Sequence, residues 1–379
     1  MYAVTLRMRF KKTIGFIHLW LGLVSGLFVL FMGVTGCILA FETEIENATQ
    51  EYRFTQKQQK TLLKPSVLKA IAEKALPNKI AHSVTYEDGR SAVVTFYNDD
   101  PEYYFLTFIN PYSGELIKLK DMSNDFFRFI IGGHYYLWLP PNIGQPIVAT
   151  GTLIFLVMLI SGLILWWPRN KAGRKQRFKI KFNAKWKRVN YDLHNVVGFY
   201  MLWAALLLAM SGLVMGFQWF SKSVYWVASG GKQKVEFYAA PSSASTTKGS
   251  SPAYDALWEQ AIPQWQQMQG SLEVHFPEAD SVAVELAFNP DTETYWKADY
   301  RYYDQETLKE IPVRHTYGLL KNTSAADKLL RMNYDIHVGA IAGIPGKILA
   351  FLSSLTAASL PITGFMIWWG RKKKKVRRF

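Results

Sequence analysis

Four histidines stand where long apolar runs begin, and they fall into matched pairs. His18, Gly22, Gly36 and Phe41 recur at identical offsets as His194, Gly198, Gly212 and Phe217. His134 precedes another run, which ends in Trp166 and Trp167, and His337 precedes its counterpart, which ends in Trp368 and Trp369. An ionisable ring in an apolar run is costly unless a partner satisfies it, and neutral imidazole is a good axial ligand for haem iron. Two rings per iron fill both axial positions, which suits electron transfer and not oxygen activation at the metal. For any one of these histidines the competing reading is an interhelical hydrogen bond or an interfacial position. Four at matched places favour ligation.

The elements that must position them are membrane spans. Ile14 to Phe41, Gly144 to Trp167, Leu193 to Phe220 and Lys347 to Trp369 are each apolar, against the ~20 residues a helix needs to cross hydrocarbon. Two spans return the chain to its starting side, so His18 and His194 fall near one face, and His134 and His337 near the other. A helix from His18 to Phe41 rises ~35 Å, too far for the two levels to share an iron. The candidate ligand pairs are therefore His18 with His194 and His134 with His337. Pro140, Pro141 and Pro345 place the second pair on helix segments set apart from the main spans. Arg128 and Arg331 each stand six residues before a histidine, placed either to pair with haem propionates or to anchor the interface.

Charge gives the orientation. Of 44 basic residues, 21 lie in residues 1–13, 168–190 and 370–379, segments without Asp or Glu. By the positive-inside rule these are cytoplasmic, with both termini inside. The net charge of +15 thus belongs to the inner face and its lipid headgroups, and does not point to nucleic acid. The first span reads as an uncleaved anchor, because Gly36 in VTGC has its counterpart at Gly212 in an internal helix. Cys37, the single cysteine, excludes an intramolecular disulfide and reads as a packing residue.

Two regions remain outside. PSVLKAIAEKAL has a helical pattern, and SAVVTFYN and YYFLTFINP alternate like strands. After the linker-like AAPSSASTTKGSSP the same order returns in AYDALWEQAI, SVAVELAFN and TYWKADYRY. The expected layout is a basic N-terminus (1–13), a span (14–41), an α+β module (42–133), a helix segment with the second span (134–167), a basic loop (168–190), a third span (191–220), a second module (221–336), a helix segment with the fourth span (337–369) and a basic tail (370–379). The fold class is thus membrane α-helical, four transmembrane helices in a duplicated two-helix arrangement with two outer α+β modules. His82, His275 and His315 lie in those modules without metal-site spacing, and no P-loop or HExxH occurs.

The turn INPYSGELI, the helix openings IHLWLGLVSGL and YDLHNVVGFY, and DIHVGAIAGIPGKIL followed by LPITGFMIWWGRK resemble the PepSY-associated transmembrane family over nearly the whole chain. The resemblance implies PepSY-like periplasmic modules, a bacterial inner-membrane location and, in the best understood branch, siderophore reductases holding two b-type haems. It implies a ferric siderophore or other periplasmic iron chelate as acceptor. The electron donor is expected to be a separate quinol or cytosolic flavoprotein, since no flavoprotein domain follows the last span. The alternative is a membrane-anchored protein without a redox cofactor that binds or regulates a periplasmic peptide, peptidase or metal complex.

Overall fold

A helix that is apolar all round has no face to give to water, and such runs form the longest helices here. The computed structural model describes residues 2–99, 101–168, 177–234, 241–243, 252–268, 270–313 and 316–376. Among them Arg9–Leu39, Pro141–Trp166, Trp186–Gly216 and Ala340–Arg371 are long and apolar enough to cross a membrane, as in a multi-pass membrane protein. The chain divides into a helical unit of Met1–Glu42, Ile130–Val224 and Ile336–Phe379 and a sheet unit of Thr43–Phe129 and Tyr225–Asp335.

The helices are α1 (Tyr2–Leu39), α2 (Glu42–Thr49), α3 (Pro65–Ala75), α4 (Phe126–Tyr136), α5 (Pro141–Trp166), α6 (Trp186–Asp192), α7 (Gly198–Gly216), α8 (Gln218–Ala228), α9 (Ala253–Met268), α10 (Ala325–Val338) and α11 (Gly343–Val376). A π-helical turn, Leu193–Val197, joins α6 to α7. In the helical unit α1 packs on α5 and α11, and α7 packs on the same two helices, closing a four-helix ring. Small residues permit this approach. A Cβ on Gly33 would lie 2.6 Å from the Ser354 carbonyl oxygen and 2.8 Å from Ala358 Cβ. Leu159, Leu202, Ala205 and Ala209 form a buried cluster between α5 and α7. Val24 and Leu27 are each 79% exposed, which leaves an apolar outer surface suited to lipid. Cys37 Sγ donates to the Phe351 carbonyl at 3.5 Å, a packing position between α1 and α11.

The sheet unit holds β1 (Ala81–Glu87), β2 (Ala92–Asp99), β3 (Glu102–Ile109), β4 (Leu116–Asp121), β5 (Ser271–His275), β6 (Val284–Asn289), β7 (Asp299–Tyr303) and β8 (Glu310–Ile311). Their order is β4-β3-β2-β1-β5-β6-β7-β8, and the pairings are antiparallel. Leu68, Leu257, Trp258 and Trp265 of α3 and α9 pack with Val84, Phe96, Leu272 and Val274 in one core. The two expected modules are thus joined in a single sheet. Val84 faces Val274 across the β1–β5 pair, and both are fully buried. Pairing there removes two strand edges that would otherwise be left open. The predicted strand in TYWKADYRY is cut to Asp299–Tyr303, because the Asp335 carboxylate accepts the N–H groups of Tyr295 and Trp296 and holds them in a turn.

Candidate functional site

The helical unit brings the four histidines together as two pairs. His134 and His337 have ring centroids 6.3 Å apart, with planes inclined at 60°. Two imidazoles each bound to one metal atom at ~2 Å would have a similar spacing, so His134 and His337 are the residues that would hold such an atom. Their helix segments end in sharp reversals: Leu137 and Trp138 after α4 take positive φ, and Gly339 after α10 has φ of 82°.

His18 and His194 line one cavity of about 450 Å³ within the same unit, a size typical of cofactor sites. Glycines open it. A Cβ on Gly162 would lie 3.4 Å from His18 Cε1, and one on Gly364 would lie 3.2 Å from His194 Cε1. A Cβ on Gly22 would crowd Met158 Cε at 2.9 Å. Phe155, Trp166, Phe199 and Phe365 give the cavity flat apolar walls, and Trp166 stacks on Phe199 at 3.6 Å and 7°. Tyr191, Asn195 and Arg371 add polar groups. His194 sits in the π turn, a widened helical turn of the kind found at functional sites. Buried Asp192 braces the preceding turn by accepting from Lys181 N at 3.2 Å and Arg188 Nε at 2.9 Å.

Each of the four rings is bonded through Nδ1 to a hydroxyl on another helix. His18 meets Ser161 Oγ at 2.8 Å, His134 meets Thr35 Oγ1 at 2.7 Å, His194 meets Thr363 Oγ1 at 2.9 Å, and His337 meets Ser211 Oγ at 2.9 Å. Each hydroxyl has one proton, and it goes to a carbonyl of its own helix: Ser161 to Met158, Thr35 to Phe31, Thr363 to Ser359 and Ser211 to Leu207. The oxygen therefore accepts, and the ring nitrogen Nδ1 carries the hydrogen. His337 Nδ1 also lies 3.1 Å from the Leu208 carbonyl, which can only accept. In all four rings Nε2 is left with the lone pair, the state in which imidazole binds metal.

Thr35 stands 17 positions after His18, and Ser211 again 17 after His194. That is ~25 Å along a helix, so the pairs form two levels. Among the described residues no group of three or more His, Cys, Asp or Glu side chains is placed to hold a metal ion. A bare transition metal in a closed site takes about four protein ligands. Two imidazoles per level therefore fit a metal that brings its other ligands with it, as porphyrin iron does, and the glycine-walled cavity fits a flat macrocycle.

Arg128 and Arg331 belong to the sheet unit and are engaged there. Arg331 is buried, donates to the Ala298 and Gly318 carbonyls, and lies 5.5 Å from the Tyr300 ring centre. Arg128 lies 5.2 Å over Tyr104. These contacts give Arg331 a structural task within the sheet unit. On the cavity of the helical unit, the cation is Arg371, in the tail read only as lipid-facing.

His82 and His275 meet edge to face at 5.1 Å in the sheet unit. Burial favours the neutral form of His275, but Glu273 at 3.4 Å and Glu285 at 3.9 Å outweigh it and raise His275 to about 9. Burial opposes ionisation of Glu273 too, yet the His275 charge and hydrogen bond hold it down to about 2. His82 is lowered by burial and by the His275 charge. The pair is a structural ion pair. His315 lies outside the described residues.

The four hydroxyls were not read from the sequence, although a signal exists: each directly precedes a glycine, in VTGC, ISGL, MSGL and ITGF. No curated protein matches the chain at a significant level. The model of the PepSY-associated TM region matches residues 16–371, and with that extent of match the chain belongs to the PepSY-associated transmembrane family.

Proposed function

We propose that this protein is a di-haem b electron-transfer protein of the bacterial inner membrane that reduces ferric siderophore. The carrying observation is the His134–His337 spacing of 6.3 Å together with four Nδ1–H groups spent on hydroxyls. His18 and His194 would hold one haem, and His134 and His337 the other. When bound, each haem would supply a one-electron iron couple. The protein's residues fix the rings and separate the two levels by ~25 Å.

The matched offsets of the histidines and the mirrored strand order support a duplicated unit of helix, outer module and returning helix. The basic segments support a reading with both termini in the cytoplasm and the sheet unit in the periplasm. A quinol or cytosolic flavoprotein would donate on the inner side. Hard oxygen ligands hold iron(III) far better than iron(II), so one-electron reduction of the chelate releases the metal.

The test uses purified protein reduced with dithionite and freed of excess reductant, then mixed with a ferric hydroxamate chelate and an iron(II)-specific chromophore. Return of the oxidised Soret band together with the iron(II) colour is expected. A reduced spectrum that persists with no iron(II) formed contradicts the assigned acceptor.

A further inference from the structure

Resting on the di-haem reading, we infer that Thr35, Ser161, Ser211 and Thr363 are positioning residues that set the affinity and potential of the two haems, each acting on the haem whose ligand comes from a different helix. The hydroxyl of each gives its proton to a carbonyl within its own helix, at 2.9 Å for Thr35, 3.0 Å for Ser161, 2.7 Å for Ser211 and 3.1 Å for Thr363. It is therefore an acceptor held in place for the ring N–H, joined at His337 by the Leu208 carbonyl at 3.1 Å. This fixes both the tautomer and the rotation of the imidazole before any metal arrives.

The following glycine completes the device. Where Gly36, Gly162, Gly212 and Gly364 stand, a Cβ would come within 3.6, 3.4, 3.3 and 3.2 Å of Cε1 of the same histidine that the preceding hydroxyl binds. The hydroxyl and the bare backbone thus form a seat for one ring, repeated four times. Seat and ligand always come from different helices: α5 seats the His18 ring, α1 seats His134, α11 seats His194 and α7 seats His337. Hence α1 supplies a ligand to one level and a seat to the other, and α7 does the same with His194 and Ser211, counting its π turn.

A ligand N–H that is hydrogen-bonded makes the imidazole more electron-rich, which favours iron(III) over iron(II). Loss of such an outer partner typically costs 10–100-fold in metal affinity. A tenfold loss confined to the ferric form raises a one-electron potential by about 59 mV.

The experiment compares wild type with Ser161→Ala, Thr363→Val, Thr35→Val and Ser211→Ala, each as full-length protein in detergent. Haem release to an apo-haem acceptor and spectroelectrochemical titration of the Soret band are measured. Ser161→Ala and Thr363→Val are expected to speed haem release 10–100-fold and raise the potential at the His18–His194 level only. Thr35→Val and Ser211→Ala are expected to act only on the other level. Thr363→Ser and Ser161→Thr, which keep the hydroxyl, are expected to restore wild-type values. Effects that follow the helix and not the level, or wild-type release and potentials in all four variants, overturn the inference while leaving the di-haem reading intact. A haem-free wild type overturns both.

Discussion

Thr35 accepts the Nδ1–H of His134 across 2.7 Å, although the two stand 99 positions apart in the chain. The same helix carries His18, whose own Nδ1–H goes to Ser161. One helix therefore serves both histidine levels, carrying a histidine of one and the hydrogen-bond acceptor of the other. A packing contact alone would not require every one of the four rings to present the same nitrogen to a hydroxyl.

Replacing a ligand should empty one level. His18→Ala or His194→Ala is expected to remove one haem equivalent, and His134→Ala or His337→Ala the other, each variant keeping the spectrum of the untouched haem. Pyridine haemochrome content against protein concentration is the check.

Bulk at the cavity should act on that level alone. Gly364→Val puts carbon against His194 Cε1, where a Cβ already comes within 3.2 Å. Overpacking of this kind costs about 1–3 kcal/mol, which corresponds to a loss of roughly 5- to 150-fold in haem affinity at that site. Haem release rates measured at both levels should change only there.

Arg331→Gln should lower stability and leave both potentials where they are. The substitution takes the guanidinium from the Ala298 and Gly318 carbonyls, and a buried acceptor left unpaired costs about 1–3 kcal/mol. Thermal unfolding and redox titration on the same sample separate this task from a propionate contact, which would move a potential.

The His275–Glu273 pair gives the sheet unit a pH signature. His275 is raised in the fold from 6.5 to about 9, so its stabilising contribution is complete below pH 6.5 and is lost as pH climbs through about 9. Glu273 is lowered from 4.5 to about 2, so its share is present above pH 4.5 and is lost as pH falls through about 2. His82, lowered in the fold, works against stability as pH falls below 6.5. The melting temperature of wild type relative to His275→Gln should therefore decline between pH 6.5 and about 9.

The spans and the histidine levels were legible because apolar length and repeated offsets are local properties of the chain. The hydroxyls were harder to see, since Ser and Thr are ordinary in apolar helices and only the glycine after each marks them. β1 and β5 escaped notice for a different reason. The first carries a register shift between Ala81 and Ser83, and the second alternates Leu272 and Val274 with charged Glu273 and ionisable His275 over five residues. Their pairing into one sheet joins residues nearly two hundred positions apart, such as Val84 and Val274. Periodicity within a segment has no bearing on such a contact. The carbonyl partners of Arg331 could not be read from the sequence, which shows only its distance from His337.

The most direct measurement is the haem b content of full-length protein purified in mild detergent from cells supplied with haem precursor. Two haems per chain, with a low-spin Soret spectrum that is unchanged by carbon monoxide, is the expected result. A correctly inserted, monodisperse preparation without haem would contradict the account.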